Sequence, residues 1–248
     1  MDSDFLIRAV VLAGAASLAA CAAVGRNENT DYRAIVESRD RSEADRQTDQ
    51  RRNPELLLAF TGARPGMRVL DMGAYAGYST ELLARAVGSG GTVYAQDSPG
   101  VSPRARERFD ERAKTPAMRN VVRVLRDYED PVPPGVRDLD LITFFFAYHD
   151  TAFMSVDRAK MNRALFGALK PGGALVIADH SALPGAGTSV AKSLHRIEEA
   201  TLRREIEEAG FRLAAEGDFL RHSEDPRDSI VFRPQVPVDE FVLRFVRP

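Results

Sequence analysis

The stretch Val69-Leu70-Asp71-Met72-Gly73-Ala74-Tyr75-Ala76-Gly77-Tyr78-Ser79-Thr80 decides the fold. An apolar run ends at Asp71, a turn with two glycines follows, and an amphipathic run then continues until Gly88. This pattern predicts a strand, a tight loop and a helix. Glycine lets backbone N–H groups approach a ligand closely, and a helix N-terminus favours negative charge. We therefore expect a small ligand with a nucleotide-like or carboxylate end at this loop.

The loop departs from the dinucleotide-binding fingerprint G-x-G-x-x-G. That pattern requires glycine at positions 75 and 78, where this chain has Tyr75 and Tyr78. Two tyrosines would crowd a pyrophosphate. A nicotinamide-dependent oxidoreductase is therefore disfavoured.

Strand-like and helical patterns alternate through the rest of the chain. The run from Leu139 to Phe146 is almost continuously apolar, as in a parallel strand buried on both faces. Alternation of this kind predicts an α/β fold with a doubly wound, mostly parallel sheet. Strands are predicted at 68–71, 92–96, 121–125, 139–146, 174–178, 212–215 and 241–246, and helices at 103–113, 155–169 and 190–209. We expect residues 217–239, which are rich in Asp, Arg and Pro, to form a mobile loop.

Composition limits the classes of partner. The chain has 248 residues, 44% of them hydrophobic and 28% charged, which is enough for one sizeable core. Its net charge is −2 and its acidic residues are interspersed with its arginines, so we expect no nucleic acid partner. A single cysteine, Cys21, excludes an intrachain disulfide.

The segment around Asp71 resembles the first motif of the class I S-adenosylmethionine-dependent methyltransferases, an acidic residue followed by G-x-G-x-G. Tyr75 stands at the middle glycine of that pattern. The segment Leu169-Lys170-Pro171-Gly172-Gly173-Ala174-Leu175-Val176-Ile177 is similar to the region leading through the fifth strand of the same family. The resemblance implies a Rossmann-like, seven-stranded, mostly parallel sheet with an antiparallel C-terminal strand, and S-adenosylmethionine as cofactor.

Four further motifs resemble a group of bacterial predicted methyltransferases of undefined substrate. They are Tyr148-His149-Asp150, Asp179-His180-Ser181, Leu194-His195-Arg196-Ile197 and Phe241-Val242-Leu243-Arg244-Phe245-Val246. Their order along the chain is more specific than any one of them alone.

The resemblance also implies which residues hold the cofactor, because ligands of such sheets bind beyond the carboxyl ends of the strands. Asp97 would accept hydrogen bonds from the ribose diol, and Asp127 from the adenine amino group, with Tyr128 lining the base. The residues predicted to bind the cofactor are Asp71, Gly73, Ala74, Tyr75, Gly77, Asp97, Asp127 and Tyr128.

His149 and His180 follow two neighbouring predicted strands, so both are candidates for the base that removes a proton from the acceptor. Asp150 would orient a ring or bind the acceptor, and we take these three residues as the predicted catalytic set. Both histidines are also compatible with a plain hydrogen-bonding role at strand ends. A metal site built from His149, Asp150, Asp179 and His180 is disfavoured, because adjacent residues rarely all point one way, and we predict no metal.

The N-terminus resembles a bacterial lipoprotein signal. An uncharged run from Ala9 to Ala20 ends in Leu18-Ala19-Ala20-Cys21, which is similar to a lipobox. The resemblance implies a signal peptide at 1–20 and a lipid anchor on Cys21, facing the periplasm in the cell envelope. If the leader is not used, a cytoplasmic location is expected. Residues 21–52 then form a tether and helical cap, and residues 53–248 the methyltransferase domain.

Two functions remain in competition. The first is an S-adenosylmethionine-dependent methyltransferase that acts on a small-molecule acceptor. The second is a membrane-tethered ligand-binding protein on the same scaffold, without catalysis. The second is motivated by Tyr75 and by the scarcity of this cofactor outside the cytoplasmic membrane.

Overall fold

A seven-stranded mixed sheet is the centre of the molecule. The computed structural model describes residues 30–232 and 234–248. The strands are β1 (Arg68–Met72), β2 (Thr92–Asp97), β3 (Val121–Leu125), β4 (Leu139–Phe145), β5 (Leu169–His180), β6 (Arg212–Gly217) and β7 (Glu240–Val246). They are arranged in the order β3-β2-β1-β4-β5-β7-β6. β1 to β5 are parallel, and β7 pairs antiparallel with both β5 and β6. The predicted α/β fold class is confirmed.

Helices cover both faces of this sheet and its carboxyl edge. They are α1 (Tyr32–Val36), α2 (Glu43–Arg52), α3 (Pro54–Thr61), α4 (Tyr78–Val87), α5 (Pro103–Ala113), α6 (Arg158–Ala168), α7 (Ala191–Leu194) and α8 (Glu199–Glu208). The core has two main parts, one on each face. β4 contributes Ile142 and Phe144 to one part and Leu141 to the other, which explains why its sequence is apolar almost throughout.

The predicted helix at 155–169 is shorter than expected at its start. The Asp157 side chain accepts a hydrogen bond from the Lys160 backbone N–H, so this residue caps the helix and α6 begins at Arg158. We predicted that Pro171-Gly172-Gly173 ends this helix, but these residues lie within β5. β5 is therefore longer than the predicted strand in both directions.

The predicted helix at 190–209 is in fact two helices. His195 adopts the left-handed conformation, with φ of 54°, and ends α7. The next residue, Arg196, is buried and donates hydrogen bonds to Asp225 at 2.7 and 3.2 Å. This ion pair draws the chain inward between α7 and α8, which the helical periodicity of the sequence does not reveal.

The segment from residue 218 to residue 239 has no helix or strand in its described part. We predicted a mobile loop here, but Asp225 anchors it. The Asp225 carboxylate accepts hydrogen bonds from Arg196 and also from the backbone N–H groups of Arg227 and Asp239. A buried bidentate ion pair of this kind fixes the loop against the end of β5.

The predicted signal peptide, including Cys21, falls outside the described residues. Within the described part of the chain, no helix is both long and apolar enough to cross a membrane.

Candidate functional site

The glycine loop between β1 and α4, residues 73–77, forms the floor of the candidate site. Gly73 has φ of +63°, and a Cβ placed there would lie 3.0 Å from the Cβ of Ala147. Gly77 has φ of +79°, and its Cβ would lie 3.0 to 3.3 Å from Arg112 and Phe109. Both positions therefore require glycine for conformation and for space.

Tyr75 keeps the backbone conformation of the glycine that it replaces, since its φ is 46°. Its side chain crosses the carboxyl edge of the sheet, and its hydroxyl donates a hydrogen bond to Asp150 Oδ2 at 2.9 Å. Burial is the largest of the effects that raise the pKa of this hydroxyl. Tyr75 thus connects the glycine loop to the segment that follows β4.

Asp97, at the end of β2, is buried and only half satisfied. Its Oδ1 accepts a hydrogen bond from the Tyr75 backbone N–H at 3.0 Å. Its Oδ2 is also buried and has no hydrogen-bond partner within the described part of the chain. Burial raises the pKa of the carboxyl to about 6. This oxygen keeps an unused acceptor position beside the loop, although Asp97, like Asp71, does not line the cavity described below.

Asp71 supports the loop from below. Its fully buried carboxylate accepts hydrogen bonds from the hydroxyls of Ser79, Thr80 and Thr143 at 2.9, 2.6 and 2.7 Å. These donors come from the start of α4 and from β4, and Asp71 does not line the cavity described below. Its predicted part in cofactor binding is therefore an indirect one.

The two residues predicted to meet the adenine ring differ in burial. Tyr128 is buried and stacks on Phe144 with ring centroids 5.9 Å apart, and its hydroxyl lies 3.5 Å from the position of a Cβ on Gly73. Asp127 is exposed, and its backbone carbonyl accepts a hydrogen bond from Asp130 N–H in a turn. Asp127 as an adenine ligand stays a prediction.

A cavity of about 320 Å³ lies between the glycine loop and two helices, α2 and α3, which we call the roof helices. Phe145 and Phe146, at the end of β4, form one wall of it. The remaining lining residues are Thr48, Arg51, Arg52, Pro54, Leu57, Leu58, Gly73, Ala74, Tyr75, Ala76, Tyr78, Ser79, Leu82 and Leu83. The cavity is therefore mostly apolar, with arginines at the roof and tyrosines at the floor.

Arg52, one of two arginines that line this cavity, lies against the Phe146 wall. Its guanidinium lies 3.3 Å from the centroid of the Phe146 ring and makes no ion pair with any described residue. Its Nε is buried without a hydrogen-bond partner. Burial lowers the pKa of Arg52 to about 10, which leaves it charged at neutral pH. Nothing in the sequence pattern marked Arg52, because its role depends on how α2 packs.

Ion pairs hold the roof helices over the loop. Arg112 donates hydrogen bonds to Asp45 at 2.7 and 2.8 Å and to the Ala76 carbonyl at 2.9 Å. Asp49 accepts a hydrogen bond from the Tyr78 hydroxyl at 2.6 Å and hydrogen bonds from the Arg41 guanidinium, the shorter of which is also 2.6 Å. The roof helix α2 is thus tied to the C-terminal end of the glycine loop and to the start of α4.

A cluster of histidines lies behind Tyr75 and Phe146. His149 and Asp179 are both buried, and His149 Nδ1 is 2.7 Å from Asp179 Oδ1. His149 Nε2 lies 3.0 Å from Asp150 Oδ1 and 3.2 Å from His195 Nδ1. Burial acts to lower the pKa of His149, but Asp179 and Asp150 outweigh it and raise the pKa to about 10. From the sequence, His195 was weighed as a gate for the acceptor against a surface or capping residue of a helical segment, and it was not included in the predicted catalytic set.

His180 is packed differently. Its ring centroid is 5.2 Å from that of Phe146, and its Nδ1 lies 2.9 Å from Glu240 Oε1. Burial lowers the pKa of His180 to about 3. None of the three predicted catalytic residues, His149, Asp150 and His180, lines the cavity, and each is separated from it by Tyr75 or Phe146.

Comparisons with known proteins agree with this geometry. A sequence model described as Protein-L-isoaspartate(D-aspartate) O-methyltransferase (PCMT) matches residues 52–181, just over half of the chain. The Ubiquinone/menaquinone biosynthesis C-methyltransferase UbiE of Vibrio vulnificus (strain YJ016) is 33% identical over 122 residues. That match covers 49% of this chain and 44% of the relative, so the chain corresponds to less than half of the relative's length.

Solved structures share the fold. A SAM dependent methyltransferase from Aquifex aeolicus superposes with a TM-score of 0.59 at 22% identity, over 83% of this chain and 97% of that one. Aeropyrum pernix fibrillarin, determined with natively bound S-adenosyl-L-methionine, gives 0.51 at 18% identity, over 77% of this chain and 73% of that one.

Strand order, glycine loop and comparisons together define a class I S-adenosylmethionine-dependent methyltransferase. Its cofactor is S-adenosylmethionine. Within that class, the chain belongs to the protein-L-isoaspartate (D-aspartate) O-methyltransferase family. The enzyme is favoured over the alternative of a binding protein without catalysis.

The residues present fit this cofactor. The buried, unpartnered Oδ2 of Asp97 offers an acceptor for a ribose hydroxyl beside the loop, and the loop presents only the small residues Gly73, Ala74 and Ala76, besides Tyr75, to the cavity. The cavity continues from the loop toward Arg52. Tyr75 is the one departure from the family pattern, and its ring borders the space that the loop encloses.

The pKa of Asp97 leads to a testable pH dependence. A carboxyl with a pKa of about 6 is mostly protonated at pH 5 and mostly ionised at pH 7. Since the ionised form offers more acceptor capacity to the ribose diol, affinity for S-adenosylhomocysteine is expected to rise about tenfold over that interval. Calorimetric titration at several pH values measures it.

Replacing this carboxyl tests whether Asp97 is the cause. Asp97→Asn is expected to weaken binding at pH 7 about 10- to 100-fold, because hydrogen bonds to a charged group contribute about 1.5–3 kcal/mol. The variant should also lose the rise between pH 5 and 7. Glu107→Gln, at an exposed position on α5, should keep the wild-type profile. An equally steep profile in Asp97→Asn would contradict the assignment.

Proposed function

We propose that the chain transfers a methyl group from S-adenosylmethionine to a small, anionic acceptor bound under the roof helices. One observation carries this proposal: the cavity meets the glycine loop on one side and the unpaired guanidinium of Arg52 on the other. A partly buried cation without an ion-pair partner favours a ligand with an acidic group. The apolar walls at Phe145 and Leu57 favour an aromatic or aliphatic body. A net charge of −2 does not favour nucleic acid as the acceptor.

The names of the matched proteins suggest two kinds of acceptor. The family name describes O-methylation of isoaspartate in proteins, and the Vibrio relative is named as a C-methyltransferase of ubiquinone and menaquinone biosynthesis. Roof helices that close over a cavity of about 320 Å³ favour a small molecule over a polypeptide segment. An isoaspartyl residue is the second candidate, because its carboxylate also suits Arg52.

Methyl transfer requires in-line positioning and, for an O–H acceptor, a place for its proton. When bound, the cofactor supplies a methyl group on a sulfonium sulfur, and the electrons of the broken C–S bond stay on that sulfur as the acceptor oxygen takes the methyl. Tyr75 lines the cavity and donates to Asp150 Oδ2 at 2.9 Å. We assign the proton transfer to this pair: the acceptor proton passes to Tyr75 Oη while the Tyr75 proton passes to Asp150 Oδ2.

The predicted catalytic residues then act at different distances from the acceptor. Asp150 receives the proton through Tyr75, and His149 lies 3.0 Å from the other oxygen of Asp150. Asp179 fixes the His149 ring through the hydrogen bond to Nδ1. His180 packs on Phe146 and positions that wall of the cavity. In this proposal Tyr75 touches the acceptor, whereas the three predicted catalytic residues, His149, Asp150 and His180, do not.

The role of Arg52 is tested by the charge preference of the acceptor. Hydroxybenzoates, neutral phenols of the same size and an isoaspartyl peptide are incubated with tritiated S-adenosylmethionine, and transfer of label is measured. Hydroxybenzoates are expected to react faster than neutral phenols because their carboxylate pairs with Arg52. Arg52→Gln should lower kcat/KM for the hydroxybenzoates about 10- to 100-fold, since a hydrogen-bonded charge contributes about 1.5–3 kcal/mol.

Arg39→Gln, an exposed arginine that does not line the cavity, is the matched control and should react as wild type. Preference for the isoaspartyl peptide would support the second candidate instead. Tight binding of S-adenosylhomocysteine without transfer to any of these probes would overturn the proposed acceptor class.

Replacing Tyr75 tests the proposed proton path separately from cofactor binding. Tyr75→Phe removes the hydroxyl that contacts Asp150 and keeps the ring, so kcat with a reactive hydroxybenzoate is expected to fall by about 100-fold or more. Affinity for S-adenosylhomocysteine should stay unchanged. Tyr94→Phe, on β2, removes a hydroxyl outside the cavity and serves as control. An unchanged kcat in Tyr75→Phe would exclude this proton path.

We also propose that Cys21 anchors the chain to the cell envelope. The proposal rests on the lipobox-like Leu18-Ala19-Ala20-Cys21. In bacteria that produce the full chain, labelled palmitate is expected to be incorporated and to be lost in Cys21→Ser. Equal labelling of the variant, or recovery of unlabelled chain with residues 1–20 intact, would favour a cytoplasmic enzyme.

A further inference from the structure

Three side-chain atoms, two from the adjacent residues His149 and Asp150 and one from the distant His195, converge behind Tyr75. His149 Nε2 lies 3.0 Å from Asp150 Oδ1 and 3.2 Å from His195 Nδ1, and His195 Nδ1 lies 3.3 Å from the same Asp150 oxygen. The three atoms therefore form a nearly equilateral triangle of two nitrogens and one oxygen. The proposed function uses Asp150 and gives His195 no role.

The sides of this triangle match those of a metal coordination shell. First-row divalent ions bind nitrogen and oxygen at about 2.0–2.1 Å, which separates neighbouring ligand atoms by roughly 3.3 Å in a tetrahedron and roughly 2.9 Å in an octahedron. The observed separations of 3.0, 3.2 and 3.3 Å lie within these limits. One ion placed above the triangle can lie at coordination distance from all three atoms.

Neighbouring groups hold each ligand in place. Asp179 Oδ1 lies 2.7 Å from His149 Nδ1, and its Oδ2 accepts a hydrogen bond from the His149 backbone N–H at 2.8 Å. A carboxylate on the far nitrogen of a histidine is the usual support of a metal-bound ring. The second oxygen of Asp150 is held by Tyr75, at 2.9 Å. The remaining ligand, His195, packs against Phe232 with ring centroids 4.7 Å apart.

Hydrogen bonding within the protein leaves this cluster incomplete. Asp150 Oδ1 is buried and has no hydrogen-bond partner in the described part of the chain, although His149 and His195 lie within 3.3 Å of it. A proton on His149 Nε2 can be directed at His195 Nδ1, and the oxygen then remains without a donor. A cation bound to all three atoms satisfies every one of them.

We predicted no metal site because the side chains of adjacent residues were expected to point apart in the pairs His149-Asp150 and Asp179-His180. The second pair does so. Asp179 faces His149 Nδ1, whereas His180 faces Glu240. His149 and Asp150 converge instead, because they lie in a 3-10 turn at 149–152. The left-handed conformation at His195, which ends α7, brings in the third ligand.

We propose that His149, Asp150 and His195 bind one divalent first-row transition ion. Two imidazoles and one carboxylate on a single face suit Zn²⁺, Fe²⁺ or Mn²⁺ better than Mg²⁺ or Ca²⁺, and leave other coordination positions open. The ion fixes Asp150, and through Asp150 the hydroxyl of Tyr75 at the wall of the cavity. The site thus connects an inorganic ligand to the methyltransferase cavity.

Metal binding by the full-length chain tests this proposal without any acceptor. The chain is freed of metal by dialysis against a chelator and titrated calorimetrically with Zn²⁺, and separately with Co²⁺ while its visible absorption is recorded. One equivalent is expected to bind with a dissociation constant of micromolar or below. Asp150→Asn and His195→Ala should each weaken Zn²⁺ binding at least about 100-fold, and Asp179→Asn about 10- to 100-fold.

His222→Ala is the matched control, because His222 lies in the loop at 218–239 and outside the cluster. It should bind Zn²⁺ as wild type does. Thermal unfolding of each variant with and without Zn²⁺ distinguishes a lost site from a lost fold, since bound ion raises the unfolding midpoint only when the site is intact. Failure of the wild-type chain to bind one equivalent, or equal loss in His222→Ala, would overturn the proposal.

Discussion

One buried carboxylate holds the elements of the cofactor site together. Asp71 ends β1 and accepts hydrogen bonds from Ser79 and Thr80 at the start of α4 and from Thr143 on β4. Burying a carboxylate is costly unless donors compensate, and here three hydroxyls do so. Burial raises the pKa of Asp71 against the effect of these donors. Asp71 therefore joins the strand that precedes the glycine loop to the helix that follows it.

Tyr75 gives that loop a second function. A non-glycine residue in the left-handed region costs roughly 1–2 kcal/mol, and Tyr75 accepts this conformation with φ of 46°. Its side chain reaches Asp150, so the cofactor loop and the histidine cluster are joined by one hydrogen bond. In the family pattern a glycine at this position makes no such connection. The substitution therefore adds a connection between two sites while it keeps the backbone of the loop.

The sheet was predictable from the sequence, and the details of the site were only partly so. Apolar runs and the glycine loop predicted the strands, the resemblance to class I methyltransferases predicted the mostly parallel sheet, and Asp97 lies at the end of β2 as its position in the sequence predicted. The break at His195 was missed because it depends on the buried pair of Arg196 and Asp225, which are distant in sequence. Arg52 was missed for a similar reason, since only tertiary packing places it on Phe146. Local periodicity carries no information about such long-range pairings.

The roof over the cavity is held by guanidinium groups, and this makes the response of the molecule to acid and to alkali unequal. Arg41 and Arg112 stay charged well beyond any physiological pH, and their pKa values are raised further, against the effect of burial, by Asp49 and Asp45. Burial acts to raise the pKa of Asp45, but its pairing with Arg112 outweighs this and lowers it. That pairing stabilises the fold above the ordinary pKa of an aspartate and is lost as the pH falls through the lowered value. Alkaline media therefore leave these ion pairs intact, and strong acid is the condition that weakens them.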